Sequence, residues 1–401
     1  MNCIVEPSKS IPVYGSYDTV VVGGGFAGIA AALAAVRGGN KVLLCEREYM
    51  LGGLGTAGLI TIYLPLCDGC GHQVSFGIAE ELLKVSIKNG WEKEYPREWI
   101  EDGTLEERIN HRYRVRYNAN LCAILYEKLL LDAGVELLYG TTVCDVVVSN
   151  RCITHLIIEN KSGRSAVAVG NVIDCSGDAD VCKQAGEQTA LYTKGNILAG
   201  WYYYCDEGVF NLQMVGASDV PMDDKARMEM EKAVGTKRYS GLGGRELTDQ
   251  VIDSHDATYR HFLRKGDLCE GHYLALMASI PQVRMTRGLA SSFTMDVSHD
   301  RVHFEDSVGL FSNWKKRGPV YELPWRILHG EKIKNLSAAG RAVSATPEMW
   351  DVTRVIPVCA VMGEAVGTAA ALTRNFDEVD IHALQAKLRS NGVKLHVEEV
   401  L

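Results

Sequence analysis

Cys67, Cys70 and His72 fall within six positions, in the stretch LPLCDGCGHQV at residues 64–74. Thiolate and imidazole are ligands that zinc accepts, so the trio resembles half of a zinc site. Two thiols at CxxC spacing could equally form a redox dithiol. The plain alternative is a loop whose thiols take no part. A zinc site needs further ligands at similar spacing, and no second CxxC occurs. No metal is therefore expected. The loop is expected to enter the pocket that the preceding residues build and to form part of its wall, with Asp68 and His72 polar and the thiols incidental; the dithiol is the alternative.

Those residues run YDTVVVGGGFAGIAAALAAVRGGNKVLLCE from 17 to 46. Thr19 to Val22 is a short run suited to a strand buried on both faces. Gly23-Gly24-Gly25-Phe26-Ala27-Gly28 satisfies GxGxxG, and an Ala-rich helix follows from Phe26 to Arg37 until Gly38-Gly39 stops it. Lys41 to Cys45 is a second strand, with Glu46 at its end. Strand, glycines, helix, strand and acid together form a dinucleotide-binding unit. Gly23 allows the tight turn, Gly25 lets a pyrophosphate approach the backbone, and Gly28 lets helix pack on strand. The helix N-terminus offers N–H groups to the phosphates. Glu46 can accept bonds from ribose hydroxyls. A second glycine loop follows, Leu51-Gly52-Gly53-Leu54-Gly55-Thr56-Ala57-Gly58. A nicotinamide domain has no use for it, whereas a flavin needs bare backbone beyond the pyrophosphate.

On these residues the chain resembles the two-dinucleotide-binding-domain flavoproteins. More narrowly it resembles the bacterial FAD-dependent oxidoreductase family, with its ER…LGG…TAG pattern. Two further segments carry the likeness. They are KSGRSAVAVGNVIDCSGDADV at 161–181 and NLSAAGRAVSATPEMWDVTRVIPVCAVMGEAVGTAAAL at 335–372. The resemblance implies FAD as cofactor. It implies contacts from Gly23, Gly25, Phe26, Ala27, Gly28, Glu46 and Arg47, and from Gly52, Gly53, Thr56, Ala57 and Gly58. It adds Val143, Ser176, Gly177 and Asp178, then Gly340, Arg341, Ile356 and Gly363. Arg341 stands where many flavoproteins have an Asp that holds the ribityl chain, so that contact moves elsewhere.

The fold class expected is α/β: a Rossmann-like FAD-binding domain with a three-layer parallel sheet and a β-meander, plus an inserted α+β cap domain. The FAD domain is expected over 16–60, 118–185 and 331–375. The cap takes 61–117 and 186–330, and 376–401 forms a C-terminal helix and tail. Five short strands are expected between 135 and 175, including SAVAVG and NVIDC as separate pieces. Helices are expected from Gly77 to Asn89, over MDDKARMEMEKAV, over LTDQVIDSHDATYRHFLRKGDL and from Val355 to Leu372. No second GxGxxG follows a strand, so no separate nicotinamide domain is expected.

For chemistry, Arg284 and Arg287 in IPQVRMTRG could anchor an anionic substrate or reduced flavin. His72 and His303 are candidate general bases by intrinsic pKa. Trp350, Arg354 and Asp68 are candidate substrate contacts. There is no G-x-S-x-G elbow. The expected function is hydride transfer between flavin N5 and a small polar organic substrate, with an electron acceptor or donor not specified. The alternatives are a dithiol–disulfide oxidoreductase using Cys67 and Cys70, or a flavin electron-transfer subunit of a complex. The 401 residues carry a net charge of -8, which gives no reason to expect nucleic acid or an anionic membrane surface as partner. Homo-oligomerisation is possible. The 12 Cys, several inside apolar runs, and the lack of a visible secretory signal suggest a reduced, cytoplasmic protein.

Overall fold

The computed structural model describes residues 3–5, 7–88, 97–101, 103–111, 114–216, 228 and 235–401. Apart from Met228, the charged stretch MDDKARMEMEKAV lies outside the described residues.

The first strand, Val13–Val22, is the centre of the main sheet. It pairs in parallel with Val42–Cys45 on one side and with Gly163–Asp174 on the other. Glu136–Leu138 extends the sheet beyond Val42–Cys45. Leu336–Ala338 pairs in parallel with the last residues of Gly163–Asp174. The parallel strands thus run 136–138, 42–45, 13–22, 163–174, 336–338. Alternation along the first strand decides what each face buries. Val21 joins the core under the helices, while Val20 and Val22 join the core under the meander. That meander is Thr142–Ser149, Cys152–Asn160 and the first half of Gly163–Asp174, all antiparallel.

The segments SAVAVG and NVIDC form one strand of 12 residues rather than two. Gly170 does not break it, because the first strand holds it from Ala166 through Asp174. Only its other neighbour changes, from the meander to Leu336–Ala338. One strand therefore serves both layers.

The helix Phe26–Arg37 buries ten consecutive residues, Phe26 to Ala35. A second apolar helix, Ile356–Leu372, lies against it. Small residues set the distance. A Cβ on Gly363 would stand 2.2 Å from the Ala27 carbonyl oxygen, and one on Gly367 would stand 2.3 Å from that of Ala31. Backbone meets backbone at two successive turns, an approach no larger residue permits.

Further elements lie outside the main sheet. Ala199–Asp206 is flanked by Val209–Gly216 and His272–Met277 in an antiparallel sheet. The helix Gly244–Leu263 packs Ala257 and Phe262 against Tyr202 of that sheet. A separate hairpin, Ser307–Ser312 with Val320–Pro324, is buried along its whole length. Among the described residues no single helix is long and apolar enough to cross a membrane.

Candidate active site

A long cleft opens at the C-terminal ends of the parallel strands, where Val22, Cys45, Cys175 and Ala339 form its floor. Ligands of open α/β sheets bind at this edge. Three fingerprint glycines act there in three ways. Gly23 has φ +103°, and a Cβ on it would lie 2.4 Å from the Cys175 carbonyl oxygen. A Cβ on Gly28 would lie 1.9 Å from the carbonyl oxygen of Gly23. Gly25 differs: nothing lies within 4 Å of where its Cβ would be. The chain leaves that volume open beside the first turn of the helix, as a pyrophosphate requires.

Glu46 sits at the end of the second strand, 7% exposed. Its Oε2 accepts the Gly24 N–H at 2.5 Å and its Oε1 accepts the Glu48 N–H at 2.9 Å. Burial raises its pKa, and those two N–H groups oppose the rise. The second glycine loop is tied to the first, since the Gly52 N–H donates to the Gly24 carbonyl at 2.8 Å. Gly52 and Gly53 have φ of +99° and +53°. A Cβ on Gly55 would strike the Phe26 ring at 2.3 Å. The Tyr117 hydroxyl donates to the Gly55 carbonyl at 2.7 Å.

The far wall comes from the strand Gly163–Asp174 and the turn after it. Asp174 is fully buried and acts on the backbone. It accepts the N–H and hydroxyl of Ser176 on one oxygen and the Cys182 N–H on the other. Ser176, Gly177 and Val143 line the cleft. Arg341 lies across Gly177 and pairs with Asp178 at 2.7 Å. The same guanidinium donates to the Val283 carbonyl at 3.1 Å. Asp180 also faces the cleft, with its pKa pushed up to about 6, first by burial and then by Asp178 and Asp174.

Of the residues expected at the cofactor, Gly23, Gly25, Phe26, Ala27, Glu46 and Arg47 line this cleft, as do Gly52 and Gly53. Gly340, Arg341 and Ile356 close it from the C-terminal segment, and Arg354 joins them. Others frame the cleft without lining it. Thr56 turns its hydroxyl to the Leu51 carbonyl. Ala57 and Gly58 give their carbonyls to the Ser279 N–H and the Gln282 side chain. Gly28 and Asp178 hold the backbone and Arg341.

Gly363 is a correction: it packs against Ala27 between two helices and does not reach the cleft. The loop at 64–74 is a larger one, because it does not wall the flavin cleft. Asp68, 1% exposed, accepts the N–H groups of Cys70 and His72 on Oδ1 and faces His72 Nδ1 at 3.0 Å. The loop docks on the buried hairpin: Ser312 Oγ donates to the Cys67 carbonyl and the Gly318 N–H to that of Asp68. Asp68 is thus a loop fastener and His72 its partner, away from the cleft. Cys67 and Cys70 form no disulfide and also lie outside it.

Four other expected residues lie elsewhere. His303 sits beside Glu322 and His396, remote from the cleft wall. Trp350 is 4% exposed and meets Tyr192 edge to face, so it is a core residue rather than a pocket wall. Arg287 donates to the Asp178 carbonyl at 2.8 Å and pairs with Asp180 at 2.5 Å, which makes it a fastener of that turn. Arg284 is buried, and its carbonyl accepts a bond from Arg341 at 3.4 Å. The sequence reading missed Asp180, Cys175, Cys359 and Ile280, which all line the cleft. Asp180 could have been found as the last acid of Gly-Asp-Ala-Asp. Ile280 carries no local signal.

The fingerprint, the second glycine loop and the buried acid define a flavin-type dinucleotide-binding enzyme. The residues fit FAD on the open volume at Gly25 and the carboxylate at Glu46. The chain belongs to the family described as FAD dependent oxidoreductase, whose model matches residues 18–233 and 243–388. It is an FAD-dependent oxidoreductase. A curated relative, thioredoxin reductase of Ureaplasma parvum serovar 3, is 30% identical over 71 residues, which is 18% of this chain and 23% of that protein. Two solved structures have distantly similar folds. One is a geranylgeranyl bacteriochlorophyll reductase-like protein of Thermoplasma acidophilum, with 11% identity, 94% of this chain and 82% of that one covered, and TM-score 0.49. The other is p-nitrophenol 4-monooxygenase of Pseudomonas putida DLL-E4, with 14% identity, 95% and 81% covered, and TM-score 0.46.

Proposed function

We propose that this enzyme oxidises or reduces a small, uncharged polar organic molecule by hydride transfer through FAD. The observation that carries the substrate class is a second cavity of about 340 Å³ behind the cleft. Ile280 lines both, so the two spaces adjoin at that residue. The volume is at the small end of the roughly 300–1,000 Å³ range of ligand pockets. Its described lining includes Trp201, Gln250, Ser254, Thr258 and Gln282, with His255 as the one titratable side chain and no carboxylate, ammonium or guanidinium. Trp201 Nε1, Gln250 Oε1 and Gln282 Oε1 are buried without a protein partner. Such atoms call for water or a ligand. One donor and two acceptors suit hydroxyl groups, which both give and receive hydrogen bonds. Those unmatched groups would also disfavour an apolar competitor.

The same segment ties the two spaces together. The Ser279 N–H donates to the Ala57 carbonyl at 2.9 Å and Gln282 donates to that of Gly58. FAD, when bound, supplies the two-electron chemistry. The chain's own part is to hold and to balance charge. Gly25 and the first turn of its helix would hold the pyrophosphate, and Glu46 would accept from ribose hydroxyls. Arg354 lines the cleft just before the helix Ile356–Leu372. Arg354 and Lys315 both pair with Asp351, so two cations meet one carboxylate. Burial lowers the Lys315 pKa, and Arg354 and Arg284 lower it further. A cation at Arg354 beside the cleft favours the negative charge that reduction brings.

The test is anaerobic mixing of FAD-loaded enzyme with matched pairs of uncharged alcohols and carboxylic acids. Bleaching of the flavin by an uncharged member supports the reading. Bleaching by acids alone, or loss of bleaching in Arg284→Gln but not in Gln250→Leu, would contradict it.

A further inference from the structure

His303 takes no part in the flavin cleft, yet its surroundings are specific. It lies in the loop before the buried hairpin, half exposed, with its ring stacked on that of His396 at 4.6 Å between centroids and 28° between planes. His396 begins the short C-terminal turn Val397–Glu399. One ligand atom from each of His303, His396 and Glu398 lies within 4.8 Å of the others. Two chain segments more than ninety residues apart are thus brought to one point.

Beneath the pair is Glu322, whose side chain is fully buried. Its Oε2 accepts the Phe304 N–H at 2.8 Å and meets His396 Nδ1 at 3.0 Å. Its Oε1 accepts the Val397 N–H at 3.1 Å and lies 3.6 Å from His303 Nδ1. A carboxylate can only accept, so His396 Nδ1 carries the proton, and in the neutral imidazole Nε2 carries the lone pair. This is the arrangement of a metal-ligating histidine: a buried carboxylate fixes tautomer and ring direction from behind. One carboxylate orients the His396 ring, holds both flanking backbone segments and lies within ion-pair distance of the His303 ring. His299 shares HxxxH spacing with His303 but turns away: its ring stacks on Phe293, and Nδ1 accepts the Asp296 N–H.

We propose that His303, His396 and Glu398 form a site for a divalent transition ion of the zinc type, with Glu322 as its positioning residue. Two imidazole nitrogens and one carboxylate oxygen are a borderline donor set, which suits zinc, cobalt or nickel and not calcium or magnesium. Three protein ligands leave one position for water. Bonds of about 2.0–2.1 Å need ligand atoms nearer than 4.8 Å, and His303 and Glu398 are exposed enough to close that gap by rotamer changes. The ion would clamp the C-terminal turn to the loop before the hairpin. The site is separate from the flavin cleft, so its failure leaves the proposed function standing.

The test uses purified full-length holoenzyme, stripped of metal, titrated with zinc chloride by calorimetry. Cobalt chloride supplies a spectrum. The expected result is one stoichiometric zinc, a raised Tm, and cobalt d–d bands without the intense near-ultraviolet absorption of thiolate ligands. His396→Gln and His303→Gln should each weaken binding by at least about 100-fold, and Cys67→Ser with Cys70→Ser should leave it unchanged. Glu322→Gln should weaken it by about 10–100-fold with all three ligands intact. If Glu322→Gln fails to fold, the exposed Glu398→Gln serves in its place, with loss of one ligand expected. Absence of zinc binding at 0.1 mM zinc chloride, thiolate absorption with cobalt, or full-affinity binding in the double histidine variant would overturn the site.

Discussion

The glycine loop at 23–28 and the cysteine loop at 67–72 are both short motifs with a chemical look. Only the first reaches the cleft. Gly23 and Gly28 are bound by the backbone itself, since any Cβ there would overlap a carbonyl at 2.4 or 1.9 Å. Their spacing therefore reports geometry directly. Cys67, Cys70 and His72 carry side chains that could point anywhere. Asp68 points them, by gathering the N–H groups of Cys70 and His72 and seating the loop on the hairpin. A motif made of missing side chains constrains the fold, whereas a motif made of reactive side chains waits on contacts far along the chain.

The largest effect expected from that contrast is Gly28→Ala. The overlap at 1.9 Å forces strand and helix apart and should cost about 3 kcal/mol or more, read as a lower Tm without added FAD. Gly25→Val should do the reverse. With nothing within 4 Å of its Cβ, the Tm of the FAD-free protein should hold, while FAD affinity falls at least about 100-fold, or roughly 2.8 kcal/mol. Equal losses in both variants would break the distinction between scaffolding and ligand-facing glycines.

Glu364 sharpens the contrast within the flavin segment. It neighbours Gly363 on the same helix and is likewise turned from the cleft. Its carboxylate accepts the Ile78 N–H at 2.7 Å, and burial pushes its pKa up to about 7. The folded state therefore holds a proton that the unfolded state, near 4.5, has released. Its contribution is complete below about pH 4.5 and is lost as pH rises through about 7. Glu364→Gln should raise stability at pH 8 by up to about 3 kcal/mol and change little at pH 4.5. Chemical denaturation at the two pH values reads this directly, and equal effects at both would refute it.

Asp68→Ala should cost about 1–3 kcal/mol by stranding the N–H groups of Cys70 and His72, with FAD affinity unchanged. Smallest of all, Cys67→Ser with Cys70→Ser should leave flavin reduction by substrate intact. A lost or slowed reduction there would restore the dithiol reading.

Much of the frame was legible because it is local. The helix Phe26–Arg37 matches its expected span residue for residue, and the helices expected from Gly77 and from Val355 begin one residue later, at Ile78 and Ile356. What stayed hidden was set by partners far away in sequence. Gly170 reads as a break until the first strand is seen running alongside it. Arg287 and Asp180 are 107 residues apart, so nothing near IPQVRMTRG revealed that one of its arginines was already paired. Ile280 meets the flavin cleft across more than 220 residues from the glycine loop that Gln282 supports. His303 looked like a lone base because its companions Glu322 and His396 are remote in the chain.

The most direct measurement is a titration of FAD into flavin-free protein, following flavin fluorescence, for wild type and Gly25→Val side by side. Saturable one-to-one quenching in wild type, greatly weakened in the variant at unchanged Tm, is the result the cleft requires. Protein that neither retains nor takes up FAD, or a variant that binds it equally well, would contradict the assignment of this cleft.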